Sequence, residues 1–169
     1  MVFTLIGMPG CGKSCMGRAI SKKLGMKNID ADRVIEQRKG KKLHELIEEF
    51  GMEGFKKIEE EVLLSIDMDD IILSTGGSAV YYPKVMEHYK KVGKIIYLYC
   101  SYEVILERLG DFSKRGVVLK PGQTLRDLYE ERTALYKQYA DIIVDCSGSA
   151  YSKYQTRVIN AIRGMLDNL

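Results

Sequence analysis

The chain has 169 residues and a net charge of +3, with 46% hydrophobic and 29% charged residues. This length suits one domain with a buried core, and this composition excludes disordered and collagen-like classes. The positive charge is too small to predict a nucleic-acid partner, although it suits an anionic ligand.

The cysteines and the N-terminus bear on the cellular compartment of the protein. The four cysteines lack the dense, paired spacing of a secreted disulfide scaffold: Cys11, Cys15, Cys100 and Cys146. The first two resemble half of a zinc site, but no Cys or His pair elsewhere completes four ligands. The apolar N-terminal run is too short for a membrane span and has no basic region before it. We therefore expect a reducing cytoplasmic location, with no membrane partner.

The first half of the chain alternates strand-like and helix-like patterns. Val2–Ile6 is a short, β-rich apolar run before a glycine cluster, which predicts a buried parallel strand. From Lys13, apolar residues recur at helical spacing until Gly25 ends the helix. The next predicted elements are a strand at 27–29, a helix at 32–39, helices at 43–50 and 55–65, and a strand at 71–73.

The second half continues the alternation. The predicted elements are a helix near 84–89, a strand at 94–99, helices at 102–109 and 125–139, a strand at 141–144 and a closing helix at 151–166. Residues 110–124 show no period, which predicts a mobile lid or a disordered segment. Strands alternating with helices predict a single α/β domain, 1–169, with a parallel sheet and helices on both faces.

Residues 7–14, GMPGCGKS, match the phosphate-binding loop pattern GxxxxGK[ST], between a predicted strand and a predicted helix. Backbone amides of such a loop surround phosphate oxygens, and the helix N-terminus adds its dipole. Lys13 would reach the β- and γ-phosphates, and the Ser14 hydroxyl would ligate Mg²⁺. The predicted nucleotide contacts are Gly10, Cys11, Gly12, Lys13, Ser14 and Cys15.

Three classes of phosphate-loop protein differ in their other motifs. The chain has no NKxD string, which argues against a GTPase switch, and no apolar run ending in the acidic pair of a motor ATPase. A compact phosphotransferase that binds its second substrate in the same domain remains. A nucleotide-binding regulator with little catalysis stays open, although the intact Lys13 and Ser14 argue against it.

Asp30 and Asp32 follow the second predicted strand, at the edge where ligands bind in open α/β sheets. Asp30 could hold Mg²⁺ through water, because Mg²⁺ gives up its water reluctantly. Asp32 could accept a proton from an attacking hydroxyl. The alternative is that one of them only caps the following helix.

Several blocks in order resemble the shikimate kinases, among the nucleoside-monophosphate-kinase-like P-loop kinases. The blocks are GMPGCGKS at 7–14, Asp-Ala-Asp at 30–32 with IEQRKG at 35–40, GFKKIEEE at 54–61, STGGSAV at 74–80, and Arg132 with Leu135-Tyr136 and Ala140-Asp141. The resemblance implies a three-layer P-loop NTPase fold with strand order 2-3-1-4-5. It also implies transfer of the ATP γ-phosphoryl group, with Mg²⁺, to the 3-hydroxyl of shikimate, in aromatic amino-acid (chorismate) biosynthesis.

The same resemblance implies roles for individual residues. Helices within 31–65 would bind the acceptor, and Asp32 would hold its ring hydroxyls and act as the base. Gly76 and Gly77 would let the backbone approach the acceptor, and Arg132 would pair with its carboxylate. Arg115, in the lid at 110–124, would swing over the phosphates. Arg108 would stack on adenine, and the loop 147–150 would close the other side of the base.

The chain departs from the family pattern mainly at the acceptor end. Lys56 stands where the family has a carboxylate-clamping arginine, and lysine lacks the bidentate fork. Ser78, Gly116 and Ala134 replace the third glycine of a Gly-Gly-Gly run and two family prolines. Another small hydroxylated acid or polyol, such as a gluconate-like compound, therefore stays open as the acceptor. A monomer is expected.

Several of these residues could instead belong to the solvated surface and have no role in a site. Lys56 and Lys57 could belong to a solvated helix face with Glu59, Glu60 and Glu61. Arg132 could pair with the preceding glutamates. His44 and His88 have no partner at catalytic spacing and are interpreted as surface residues.

Overall fold

The computed structural model describes residues 1–111, 117–148 and 150–167. Five parallel strands form one sheet: β1 Val2–Ile6, β2 Lys27–Asp30, β3 Ile71–Ser74, β4 Gly93–Tyr99 and β5 Ile142–Asp145. Their order is β2-β3-β1-β4-β5, which confirms the order implied by the resemblance.

The centre of the sheet is covered on both faces. All residues of β1 and β3 are buried, and successive side chains of a strand point to opposite faces. Residues such as Phe3, Leu5 and Ile72 are fully buried, and each such side chain contributes roughly 1.5–3 kcal/mol. Helices on both faces and the sheet between them therefore make the three predicted layers.

Seven helices join the strands in the described part of the chain: α1 Lys13–Leu24, α2 Ala31–Lys39, α3 Leu43–Leu64, α4 Pro83–Val92, α5 Tyr102–Leu109, α6 Leu125–Tyr139 and α7 Tyr151–Leu166. The sequence patterns predicted α5, α6 and α7 with these bounds. They did not predict a short 3₁₀ turn at Ala79–Tyr81, between β3 and α4.

The two helices predicted at 43–50 and 55–65 are one run with a kink. Gly51 has φ 69° and ψ 175°, which lies outside helical geometry and is accessible to glycine without a Cβ penalty. The predicted break is therefore confirmed, whereas the predicted gap of several residues between the helices is wrong. On both sides of the kink α3 packs on α2, and its second half also contributes Leu63 to the main hydrophobic cluster.

A main hydrophobic cluster surrounds the sheet, and a smaller one joins α2 to α3. The smaller cluster contains Ile35, Leu46, Phe55 and Val62, so these two helices pack on each other as a unit. No helix among the described residues is long and apolar enough to cross a membrane.

Candidate functional site

A cleft of about 500 Å³ opens at the carboxyl ends of β1, β2 and β3. Leu5 pairs with Ser74, and Ser74 with Asp30, so the segments that follow these strands begin at the same edge. The cleft is lined by the phosphate loop and α1 (Pro9, Gly10, Gly12, Lys13, Ser14, Cys15, Arg18), by α2 and α3 (Asp32, Leu43, His44, Ile47, Phe55, Glu59), by the turn after β3 (Thr75, Gly76, Gly77, Ser78) and by Arg132 of α6.

The phosphate loop leads into helix α1, whose N-terminus has no side-chain cap among the described residues. Gly12 is the N-cap of α1 with φ 92°, a left-handed conformation suited to glycine. None of the described side chains accepts from the first amides of the helix, and its first turn has no acidic residue. These amides and the helix dipole therefore offer an anion site at the cleft.

Lys13 lies across this loop and is largely buried, at 8% exposed. Its Nζ donates to the carbonyl oxygens of Gly7 at 2.7 Å and Met8 at 2.9 Å. The Cys11 sulfur lies 3.7 Å from the same nitrogen. The loop itself thus holds the ammonium group in place, close to the uncapped helix start.

The other predicted nucleotide contacts divide into two groups. Gly10, Ser14 and Cys15 line the cleft, and the side chains of Ser14 and Cys15 are exposed. Cys11 is buried and does not line it, and its amide donates to the Met8 carbonyl at 3.2 Å. The structure therefore does not bring Cys11 to the cleft, because the turn of the loop uses this amide, and its phosphate contact stays a prediction.

Asp30 and Asp32 have different positions. Asp30 is the N-cap of α2 and accepts from the Arg33 amide at 3.4 Å, so the capping alternative holds for this residue. Asp32 lies in the cleft. Burial, then the charges of Glu59 and Asp30, raise the pKa of Asp32 to about 6, against the lowering effect of Lys13. Asp32 therefore has a stronger affinity for a proton than an ordinary aspartate.

Glu59 is the buried carboxylate beside Asp32, at 3% exposed. Ser78 donates to both of its oxygens, at 2.8 and 3.0 Å, and the Tyr82 hydroxyl donates to one of them at 2.5 Å. Burial raises the pKa of Glu59, while the hydrogen bonds from Tyr82 and Ser78 lower it. The interpretation of Glu59 as part of a solvated face is therefore wrong.

Gly76 and Gly77 leave room for charged side chains. A methyl group on Gly76 would lie 2.9 Å from Oδ1 of Asp32 and 3.3 Å from Oε1 of Glu59. A methyl group on Gly77 would lie 2.8 Å from Nη1 of Arg132. Any larger residue at either position would displace these groups, so the pair of glycines is a requirement of the site's packing.

Arg132 is 8% exposed, and it lines the cleft rather than pairing on the surface with the preceding glutamates. Its guanidinium lies over the Tyr81 ring, 5.4 Å from the centroid. Its Nε has no hydrogen-bond partner among the described residues. A buried, unpartnered arginine donor at a cleft is suited to a planar anion such as a carboxylate.

The structure places Lys56 outside the cleft and His44 in its lining. Lys56 does not line the cleft; it is about half exposed and pairs with Glu53 at 2.8 Å, three residues earlier on α3. The structure does not bring it to the acceptor end, because the helix directs Phe55 and Glu59 inward at that point. His44 is exposed, as expected for a surface residue, yet it lines the rim of the cleft.

Arg108 lies beside the phosphate loop, outside the lining of the cleft. Its guanidinium donates to the Cys146 carbonyl at 3.3 Å and contacts the Cys100 sulfur at 3.4 Å. Ser147 accepts from the Ser101 amide at 2.8 Å. These contacts join the ends of β4 and β5 next to the loop. The predicted stacking of Arg108 on adenine remains a prediction.

Two predicted features fall wholly or partly outside the described residues. Arg115, the predicted lid arginine, lies outside them, as does Ser149 of the loop 147–150. The described parts of the predicted lid, 110–111 and 117–124, have a turn at 121–122 and no helix or strand. The role of Arg115 stays a prediction.

Sequence reasoning missed the hydrogen-bonded network of Glu59, Ser78 and Tyr82. Its signal was present in the periodicity of α3. Glu59 lies four residues after the buried Phe55 and four before the buried Leu63, which places it on the inward face. The neighbouring Glu60 and Glu61 concealed this signal, because a run of three glutamates is typical of a solvated surface.

The lining of the cleft combines groups suited to phosphate with groups suited to an anionic or hydroxylated molecule. No cluster of three or more His, Cys, Asp or Glu side chains in the described part of the chain could hold a metal. Mg²⁺ in kinases needs only one or two protein ligands, since water and phosphate supply the others. The exposed Ser14 hydroxyl in the cleft fits that requirement, whereas Asp30, the N-cap of α2, does not line the cleft, so its predicted contact with Mg²⁺ would run through water.

Comparisons with known proteins agree with this arrangement. The family model described as shikimate kinase matches residues 9–163. A shikimate kinase of Francisella tularensis subsp. novicida is 34% identical over 158 residues, covering 91% of this chain and 90% of the relative. One of Thiobacillus denitrificans is 35% identical over 158 residues, covering 92% and 86%.

Solved structures give the same result. Shikimate kinase from Acinetobacter baumannii in complex with shikimate has a TM-score of 0.85 and 30% identity, covering 96% of this chain and 93% of that one. Shikimate kinase from Aquifex aeolicus has a TM-score of 0.86 and 28% identity, covering 98% of both chains. With the family model and these relatives covering most of its length, the chain belongs to the shikimate kinase family.

Proposed function

We propose that this protein is a shikimate kinase, which transfers the γ-phosphoryl group of ATP to the 3-hydroxyl of shikimate in aromatic amino-acid biosynthesis. The observation that carries the proposal is one cleft lined both by Lys13 and Ser14 of the phosphate loop and by Asp32 and Arg132. Such a cleft holds donor and acceptor in the same domain, as a small kinase requires.

The phosphate end acts by position and charge. Amides of the loop and of the first turn of α1 would surround the phosphates, and Lys13 would stabilise the charge that develops during transfer. Mg²⁺, held by Ser14 and through water by Asp30, would neutralise phosphate charge when bound. Arg108, beside the loop, would contact the base. Arg115 would add a further charge over the phosphates.

The acceptor end provides a base and an anion site. Asp32, with a pKa of about 6, is mostly ionised at pH 7 yet holds a proton more tightly than an ordinary aspartate. It would accept the proton of the attacking hydroxyl. Arg132 would bind the acceptor's carboxylate, and the absence of side chains on Gly76 and Gly77 would let the acceptor approach the backbone.

A second acceptor is favoured by one specific observation. Lys56 pairs with Glu53 outside the lining of the cleft, so the acceptor end has one arginine where the resemblance implies a two-armed clamp. A smaller or differently shaped hydroxylated acid, such as gluconate, would need only that arginine. The catalytic groups would act in the same way on this acceptor.

A coupled assay of ADP release tests the proposal, with shikimate, gluconate or no acceptor. We expect shikimate to raise the rate well above the rate without acceptor, and the Lys13→Met protein to give no such increase. Turnover with gluconate alone would establish the second acceptor. No stimulation by either compound would contradict the kinase assignment and favour a nucleotide-binding regulator.

The metal is tested separately with Asp30→Asn. Asparagine caps helices as well as aspartate, so α2 should keep its stability. A rise in the Mg²⁺ concentration needed for half-maximal turnover would then report on metal binding. An unchanged Mg²⁺ dependence would remove Asp30 from the metal site.

A further inference from the structure

The turn after β3 holds a carboxylate that belongs to α3. Ser78 donates to both oxygens of Glu59, at 2.8 and 3.0 Å, and Tyr82 donates to Oε2 at 2.5 Å. Glu59 and Tyr82 are almost fully buried, and Ser78 is half-buried at the cleft. Two hydroxyl groups therefore compensate for the burial of this charge and define where it points.

Arg132 lies next to Glu59 without pairing with it. Glu59 Oε1 lies over Gly76, and Nη1 of Arg132 lies over Gly77. Adjacent Cα atoms are about 3.8 Å apart, so the two charged groups lie above neighbouring backbone positions. Nevertheless, no salt bridge in the described part of the chain includes Arg132. Its buried Nε has no hydrogen-bond partner among those residues.

We propose that Ser78 is a positioning residue: together with Tyr82 it holds Glu59 away from Arg132, so that Arg132 stays available for the acceptor's carboxylate. The binding of that carboxylate rests on the proposed function, whereas the holding of Glu59 does not.

The expected consequence of losing the hydroxyl follows from the energetics of buried carboxylates. Glu59 would lose one of its two donors and would turn to the nearest cation. Arg132 offers the strongest partner, because a guanidinium and a carboxylate form paired hydrogen bonds. Glu59 would then compete with the acceptor for Arg132. Lys56 could not compensate, since it pairs with Glu53 away from the cleft.

Kinetics with shikimate test the effect on binding. We expect Ser78→Ala to raise the KM for shikimate about tenfold, the range for one hydrogen bond to a charged group, with kcat and the KM for ATP within about twofold. Ser78→Thr keeps the hydroxyl and should restore the KM. Ser65→Ala is the matched control, because the Ser65 hydroxyl donates to the Val62 carbonyl at the end of α3, outside the cleft lining.

Tyr82→Phe separates positioning from direct contact. Tyr82 donates to the same carboxylate but does not line the cleft, so its variant should also raise the KM for shikimate. In a Glu59→Gln background, the effect of Ser78→Ala should disappear. If Ser78→Ala raises the KM and Tyr82→Phe, shown by thermal melting to be folded, does not, Ser78 contacts the acceptor directly and the proposal is wrong.

A measurement without acceptor tests the proposal independently of the proposed function. The ¹⁵N-labelled arginine side chains are observed by NMR, and the Arg132 Nε–H signal is assigned by its loss in Arg132→Lys. We expect this signal to move in Ser78→Ala and Tyr82→Phe, and to stay in place in Ser65→Ala. An unmoved signal in Ser78→Ala would overturn the proposal. Failure of the wild type to phosphorylate shikimate would instead contradict only the proposed function.

Discussion

The phosphate half of the cleft comes from one stretch, Gly7 to Ser14, whereas the acceptor half joins side chains from four separate segments. In the phosphate half, backbone amides and a helix N-terminus would provide the anion site, and Lys13 is held by carbonyl groups of the same stretch. In the acceptor half, Asp32, Glu59 and Arg132 lie on α2, α3 and α6.

This difference has a physical consequence. A site made from local backbone keeps its geometry whenever its strand and helix form. A site made from buried charges depends on the packing of several elements and on hydrogen bonds such as those of Ser78 and Tyr82 to Glu59. We therefore expect changes in the phosphate half to affect every acceptor equally, and changes in the acceptor half to affect acceptors selectively.

The largest effect is expected for Lys13→Met, which tests whether a change in the phosphate half affects every acceptor equally. Lys13→Met should lower kcat/KM for ATP about 10³-fold, because it removes a positioned charge from the transferring phosphoryl group. The exposed Lys22→Met on the same helix is the control and should stay within about twofold. Loss of turnover with one acceptor and not with another would contradict the proposed division between the halves.

Asp32→Asn tests the base in the acceptor half. We expect kcat to fall about 10²- to 10³-fold while the Kd for ATP is unchanged, since only proton transfer is removed. Because the pKa of Asp32 is about 6, wild-type kcat/KM for the acceptor should also fall as the pH drops below 6. Calorimetry of ATP binding and a pH–rate profile measure both. Weakened ATP binding with normal turnover would remove Asp32 from this role.

A matched pair of substitutions compares the two predicted cations of the acceptor half. Arg132→Ala should raise the KM for shikimate about 10- to 100-fold, because it removes buried hydrogen bonds to a charged group. Lys56→Ala should change it less than about twofold, because an exposed i,i+3 ion pair contributes little. Equal effects in steady-state kinetics would mean that Lys56 reaches the acceptor after all.

The smallest effect concerns stability. Burial raises the pKa of Asp32 from 3.8 to about 6, so between these values the folded protein binds more protons than the unfolded chain, and stability falls as pH rises. Asp32→Asn should therefore be more stable than wild type at pH 7, by about 1–2 kcal/mol, with the gain shrinking as pH falls through 6 toward 4. Urea unfolding at pH 4 and pH 7 measures this difference, and an equal or larger gain at pH 4 would contradict it.

Much of the architecture could be predicted because its signals are local. Val2–Ile6 is an apolar run before a glycine cluster, and α1 has helical spacing with glycine at its end, so both were predicted with their observed bounds. The helix α4 was predicted too short, since Pro83 at its first turn was not used as a start signal. The strand order came from the family resemblance, because the local pattern of a strand does not specify its neighbours in the sheet.

The candidate site likewise has one part that local sequence predicts and one part that depends on tertiary packing. The sequence by itself determined where the predicted phosphate loop lies, because the GxxxxGK[ST] pattern stands between a strand and a helix, as phosphate binding requires. Only the tertiary structure decided that Glu59 points inward, that Lys56 pairs with Glu53, and that Nε of Arg132 has no hydrogen-bond partner in the described part of the chain. Those outcomes depend on how α3 packs on α2 and on how α6 packs on β4 and on the 3₁₀ turn after β3, and the local sequence does not specify this packing.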